Sequence, residues 1–479
     1  MIATMLDTNS GQSPYAPPSV FSTEEILKST AGHLVQGPEQ GSWTVTTDSR
    51  LAEVNRIFFA LQGDRFDGHQ FVPQVLSNAG FGAIVARDRV EQIQEGTANG
   101  TLLIAVDDPL VALQDLAKFE RSRFDGPVVA VTGSAGKTTT KEMIASILGL
   151  QQPGYATQGN LNNHIGVPLT LLHRHADHRW LVLEMGMSNA GEIARLADLG
   201  APTHRVVTSI APAHLDTLGT IEGVAAAKSE LFASSRDQDI QFVPTDGEAG
   251  KLLTPSKKSR IVRFGFSKGA DYRVSSTESN DSGGQRVKVE SAAQSWSFGL
   301  ALRGAHQAAN ASAAIAVTHE LGCDVETIVE GLERMIPARG RGAEVEINGI
   351  TIIDDTYNAN PASVRAALAQ LVHDAQGHTV AILGDMLELG EKSTQFHGEV
   401  GRMLVEFGVH QFVGVGAQMK SALEEARRAG HKNCQVVGQA TDAADLVVND
   451  VHPGDRILVK GSRGMRMERA VSALERGLS

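Results

Sequence analysis

The sequence predicts an α/β protein of three consecutive α/β domains. The middle one carries a P-loop-type parallel sheet with a small antiparallel appendage, and the last is Rossmann-like. Three observations carry this. The chain has 479 residues, too many for a single core. Short β-branched apolar runs alternate with helically spaced ones along most of it. One such run, Val128–Thr132, feeds a glycine-rich turn and then a helix supported by Met143, Ile144, Ile147 and Leu148.

Residues 1–125 form the first block. Gly82–Ala86 and Leu102–Val106 read as strands, and Leu110, Leu113, Leu116 and Phe119 repeat at helical spacing. Gly126-Pro127 breaks the chain. In the second block, 126–337, Val128–Thr132, Leu181–Glu184 and Val206–Ile210 read as buried parallel strands. From about 260 to 304 the pattern turns to alternation, as in Arg286–Val289 and Trp296–Leu300, with a turn at Ser282-Gly-Gly284; this is the predicted antiparallel appendage. A helix follows through Ala308–Leu321. Pro337–Gly342 reads as a hinge into the third block, 338–479, whose strands are Thr351–Asp354, Thr379–Leu383, Gln411–Val415 and Arg456–Val459.

The composition, 42% hydrophobic and 20% charged, is that of a globular protein. A net charge of -12 argues against general binding of nucleic acid or anionic membranes. Cys323 and Cys434 are too few for a disulfide framework. Met1–Asp7 lacks a basic segment followed by an apolar core, and no apolar run is long enough to cross a bilayer. A cytoplasmic protein without a signal peptide or membrane span is expected.

The loop Gly133-Ser134-Ala135-Gly136-Lys137-Thr138-Thr139 carries the clearest chemistry. Its glycines let backbone amides approach phosphate oxygens, Lys137 can reach terminal phosphates, and the Thr138 hydroxyl suits Mg²⁺. Val131 stands where the Walker pattern has its first glycine, so the loop is a short variant. Glu184 ends an apolar strand, where a carboxylate suits a second magnesium ligand. His214, in a loop, and Lys228, on a helix, are weak candidates by spacing alone. Asn160-Leu-Asn162-Asn163 either binds a polar ligand or satisfies turn backbone, and both readings stand. Asp354–Pro361 mixes acid, phenol and amides in one loop. Lys460, beyond the last strand's apolar core, either meets an anion or offsets nearby acids.

Together these segments resemble the Mur ligases of peptidoglycan synthesis, and among them those that add D-alanyl-D-alanine. The resemblance rests on Thr47–Arg50, Phe58–Gly63 and Phe66–Phe71, on the short loop Thr132–Thr138, and on Gly159–Asn163, Asp354–Pro361, Gly384–Gly390 and Lys460–Arg463. It implies a UDP-sugar-binding first domain (1–125), a central ATP-binding domain (126–337), and a C-terminal Rossmann-like domain (338–479) with dipeptide and ATP contacts. It implies ATP-driven amide formation through an acyl phosphate, with UDP-MurNAc-tripeptide and D-Ala-D-Ala as substrates, in a monomer. Glu184, His214 and Lys228 match magnesium-site positions alongside Thr138, with two ions and a carbamylated Lys228. His306, Asn310, Arg341 and Asp355 match nucleotide contacts. Ser49, Arg50, Asn160, Asn162 and Asn163 fall on substrate-side segments, and Asn358, Asn360 and Lys460 are candidates for the dipeptide. The alternatives are a sister ligase adding one amino acid, a folylpolyglutamate synthase, and a P-loop kinase or NTPase. Tyr357–Pro361 and Lys460–Met465 disfavour the first two.

Overall fold

The computed structural model describes residues 18–51, 54–63, 66–77, 80–94, 98, 100–279, 284–373 and 375–479. Met1–Asp7, used above for targeting, and Ser282-Gly283 of the expected turn lie outside the described residues. The chain packs as two compact units, one of residues 1–130, 151–187 and 192–204, the other of 131–150, 188–191 and 205–479.

In the first unit, β1 (Phe21–Ser22), β2 (His33–Gln36), β3 (Ser42–Thr46) and β4 (Arg56–Phe59) precede a two-stranded ribbon, β5 (Gln62–Gly63) and β6 (Phe66–Asp67). Then come β7 (Gly82–Ala86) and β8 (Leu102–Val106), both at their expected places. The sheet runs β1-β3-β4-β7-β8-β2; β3, β4, β7 and β8 are parallel, and both edge strands are antiparallel. The expected helix is Pro109–Ser122. Asp108 caps it by accepting the amides of Leu110 and Val111, and Pro109 supplies a preset first-turn φ. Its inner face buries Leu113, Leu116, Ala117 and Glu120.

β9 (Val128–Thr132) and β12 (His204–Val207) each begin in the first unit and end in the second, while β10 (Tyr155–Ala156) and β11 (Leu181–Glu184) belong to the first. The second unit continues with β13 (Ile240–Pro244) and β14 (Arg260–Gly265). After them come β15 (Tyr272–Ser279), β16 (Gln285–Glu290) and β17 (Ser295–Leu300). The hydrogen-bonded order is β10-β11-β9-β12-β13-β14-β15-β16-β17, with β15-β16-β17 antiparallel, as the alternating sequence predicts. Val287, Val289, Trp296 and Phe298 form the buried face of this appendage. The alanine-rich helix Ala305–Glu320 lies close enough for Ser312 Oγ to donate to the Tyr272 carbonyl at 2.7 Å.

The last sheet holds β18 (Ala343–Ile347), β19 (Ile350–Asp355), β20 (Thr379–Gly384), β21 (Gln411–Val415), β22 (Cys434–Val437) and β23 (Arg456–Lys460). Its order is β18-β19-β23-β20-β21-β22, and all but β18 are parallel. Val380 and Ile382 face one apolar core, Ala381 and Leu383 the other. Burial on both faces makes such a strand an unbroken apolar run. The register sets Asp355 and Leu383 opposite Lys460, so the carboxyl ends of three strands form one edge. In open α/β sheets ligands bind beyond that edge.

Candidate active site

The phosphate loop leaves β9 through Gly133 at φ 151° and Gly136 at φ 83°. A Cβ on Gly133 would fall 2.0 Å from Thr208 Oγ1, and one on Gly136 2.3 Å from Asn310 Oδ1. Only glycine fits either place. The expected strand Val206–Ile210 is shorter than predicted: β12 stops at Val207, and Thr208–Ala211 becomes a strap under the loop. Ser134 N donates to the Ser209 carbonyl at 2.9 Å, Ala135 N donates to Ser209 Oγ at 3.0 Å, and Thr208 Oγ1 donates to the Ala135 carbonyl at 2.5 Å. Ser134 and Ala135 therefore hold the loop's shape with their amides. The anion-facing donors belong to the start of helix Lys137–Gly149, whose first amides have no helical carbonyl to bond. Thr139 is buried in that first turn. Lys137 Nζ folds back to the Gly133 carbonyl at 2.8 Å.

Two cations converge near this loop from the same unit. Lys228, on helix Ile221–Ala233, is 2% exposed. Burial, with the Lys137 ammonium second, pushes its pKa well below the usual lysine range. The site thus favours a neutral amine. Arg341 enters from the hinge, donates from Nη2 to Thr138 Oγ1 at 2.8 Å, and lies 3.4 Å over the Tyr357 ring. The hinge is held by Gly340 N donating to Asp354 Oδ2 at 3.0 Å and by Tyr357 N donating to the Gly340 carbonyl at 3.0 Å. Further round, His214 caps the short helix Leu215–Leu218 at φ 53°, and its Nδ1 sits 2.6 Å from Glu388 Oε2. That contact holds the Glu388 carboxyl below its usual range.

Of the expected nucleotide contacts, Asn310 is buried behind Gly136 and donates to Gln307 Oε1 at 3.1 Å. His306 opens the same helix and is exposed. Desolvation by the surrounding protein, with the Lys460 ammonium second, pushes its pKa down. Lys460 is buried; its Nζ donates to Asp355 Oδ2 at 2.5 Å and to the Asn358 carbonyl at 2.9 Å. Of the two readings open for Lys460, the structure shows the one in which it offsets an acid. Asn360 caps helix Pro361–Val372, its Oδ1 accepting the Ser363 amide at 2.8 Å.

Within the first unit, Glu184 is 1% exposed and accepts a hydrogen bond from Asn162 Nδ2 at 2.8 Å. Asn163 Oδ1 accepts the amides of Ile165 and Gly166 at 3.1 and 2.9 Å, and Asn160 is exposed. The amide run thus divides between orienting a carboxylate and satisfying a turn. Ser49 and Arg50 follow β3, and Arg50 grips Asp48 through Nε at 2.9 Å and Nη2 at 2.7 Å. Sequence reasoning did not single out Ser209, Tyr357 or Glu388. Tyr357 and Glu388 had a signal only as members of the segments Asp354–Pro361 and Gly384–Gly390.

Three family descriptions match the chain: "Mur ligase family, catalytic domain" over 44–121, "Mur ligase middle domain" over 131–318, and "Mur ligase, glutamate ligase domain" over 340–463. The UDP-N-acetylmuramoyl-tripeptide--D-alanyl-D-alanine ligase of Bacillus subtilis is 36% identical, over 90% of this chain and 92% of its own length. The Escherichia coli protein of that name is 33% identical, over 92% and 95%. Among solved structures, MurF from Acinetobacter baumannii superposes with a TM-score of 0.86 at 33% identity, covering 96% of this chain and 100% of that one. MurF from Thermotoga maritima in complex with ADP gives 0.79 at 28%, covering 91% and 98%.

Proposed function

The chain belongs to the Mur ligase family, and on that premise we propose that it uses ATP to join D-alanyl-D-alanine to UDP-N-acetylmuramoyl-tripeptide, giving the UDP-MurNAc-pentapeptide of peptidoglycan synthesis. The observation that carries this is Arg341 on Thr138. A hinge arginine beyond the phosphate-loop domain reaches the loop's own hydroxyl, as a ligase needs and a one-domain kinase does not.

A carboxylate is a poor acyl donor because oxide would have to leave. The tripeptide carboxylate oxygen attacks the γ-phosphorus, the bond to the β-phosphate oxygen breaks, and ADP leaves. The dipeptide amine attacks the acyl carbon, the tetrahedral intermediate expels phosphate, and the nitrogen gives up a proton. Chain groups make the approach of two anions possible. Lys137, Arg341 and the helix N-terminus bind the triphosphate and stabilise its developing charge. We assign His306 and Asn310 to the adenine side and Asp355 to the ribose, where its second oxygen is the one not bonded by Lys460. We place Ser49 and Arg50 toward the UDP moiety and Asn160 toward the peptide. Asn358, Asn360 and Lys460 are our candidates for the dipeptide, and Lys460 Nζ donates to the Asn358 carbonyl at 2.9 Å.

Mg²⁺, two ions in our reading, would neutralise phosphate charge and polarise the γ-phosphoryl group. Thr138, Glu184, His214 and Lys228 are the residues to hold it. The chemistry of the donors fits, provided Lys228 is carbamylated: a neutral buried amine adds to CO₂, releases a proton and becomes an oxygen donor suited to a hard cation. We further propose a monomeric enzyme acting in the cytoplasm. No helix of the described residues is long and apolar enough to cross a membrane.

The test is product analysis. One pentapeptide, one ADP and one phosphate should form per turnover with D-Ala-D-Ala. Ligation of a single amino acid in its place would mark a sister ligase.

A further inference from the structure

The loop Gly384–Gly390, between β20 and the short turn Gly390–Lys392, meets the His214 turn at three points. Leu215 N donates to the Glu388 carbonyl at 3.0 Å. His214 Nδ1 lies 2.6 Å from Glu388 Oε2. Gly390, at φ 57°, is pressed so close that a Cβ there would fall 3.2 Å from Asp216 Cα. His214 and Glu388, facing each other, are both non-glycine residues in the left-handed region, at φ 53° and 62°. Such conformations persist where surrounding contacts over-determine them, and they gather at functional sites. Thr217 Oγ1 also donates to the carbonyls of His214 and Ser188, bracing the turn from behind.

We propose that Glu388 is a positioning residue for His214. Its carboxylate, 2.6 Å from Nδ1, holds that side of the ring and leaves Nε2 on the other side as the ligand atom. An imidazole has two exchangeable tautomers, and the partner of one nitrogen decides which nitrogen is open. A carboxylate behind a metal-ligating histidine fixes both tautomer and ring orientation. The backbone bond from Leu215 to Glu388 also ties the His214 turn to the Gly384–Gly390 loop of the third block.

The inference rests on the ligase reading of His214 as a metal ligand, and the experiment separates the two. Mn²⁺ binding to the full-length enzyme is followed by electron paramagnetic resonance for wild type, Glu388→Leu, Glu388→Gln, His214→Gln and the double variant Glu388→Leu/His214→Gln. The His214 nitrogen shifts are read by ¹⁵N NMR without metal. Wild type should show a protonated Nδ1, and Glu388→Leu a mixture of tautomers. Glu388→Leu should weaken Mn²⁺ about tenfold. Glu388→Gln, which keeps an oxygen acceptor, should lie between it and wild type and gives the answer if the leucine variant fails to fold. The double variant should bind no worse than His214→Gln. Wild-type Mn²⁺ affinity and tautomer in both Glu388 variants would overturn the positioning role. Unchanged Mn²⁺ binding in His214→Gln would overturn the metal role of His214 itself, and with it this inference.

Discussion

Lys228 and Lys137 bring two amines together in a dry corner, and burial with like charge drives Lys228 toward its neutral form. That is the condition for carbamate formation. Lys228→Ala is expected to lower the ligation rate about 100-fold, with recovery when a short carboxylic acid such as acetate fills the space. Phosphate release with and without acetate measures it, and an acetate-insensitive loss would count against the carbamate. A second residue-scale effect concerns stability. His178 is buried and stacks on His175 at 4.9 Å between ring centroids, and burial lowers its pKa to about 4. A histidine with a depressed folded pKa binds fewer protons folded than unfolded. Its contribution is therefore present above the unfolded value near 6.5 and is lost as pH falls from there toward 4. Unfolding free energies from urea titrations should fall through that window, by up to about 1.4 kcal/mol per pH unit for this group. His178→Gln should flatten the slope, and an unchanged slope would show that other groups govern it.

At the scale of elements, caps and glycines decide where the loops stand. Asn360→Ala should cost about 1 kcal/mol by removing the oxygen that accepts the Ser363 amide, while Asn360→Ser keeps a cap and most of the stability. Equal urea midpoints for the two variants would contradict the capping role. Gly136→Ala must place a methyl where Asn310 Oδ1 now stands, at a positive φ besides. Isothermal titration should show ATP binding weakened at least about tenfold, since the strain alone is worth 1–2 kcal/mol; binding at wild-type strength would refute the tight packing. Strands buried on both faces, such as β8, β9, β20 and β23, were legible because they read as unbroken apolar runs. β1 to β3 went unread because they are short and mixed in polarity, and β4 because only three apolar residues mark it. Val206–Ile210 looked longer than β12 because Thr208 and Ser209 suit a strand as well as they suit a strap. Asn163 and Asn360 share their residue type with ligand contacts; in the structure Asn163 accepts the amides of the turn after it and Asn360 caps a helix. Glu388 gave no signal of its own, because its meaning depends on His214, remote in sequence and brought near only by the fold.

At the scale of the whole molecule, the phosphate loop, the hinge and the last sheet all belong to the second unit, and we take the boundaries near 125 and 337 as the working division. Arg341 is the residue that couples hinge to loop. Arg341→Lys keeps the charge but loses the planar stack on Tyr357 and the directed bond to Thr138. It should lower kcat more than it raises the KM for ATP, and an effect confined to KM would reduce Arg341 to a simple binding group. The short loop at Gly133–Thr138 then serves carboxylate activation. The most direct test of that claim is phosphate release from ATP with UDP-MurNAc-tripeptide present. Steady release that requires D-Ala-D-Ala is predicted; release at the same rate without the dipeptide, or supported by a single amino acid, would contradict it.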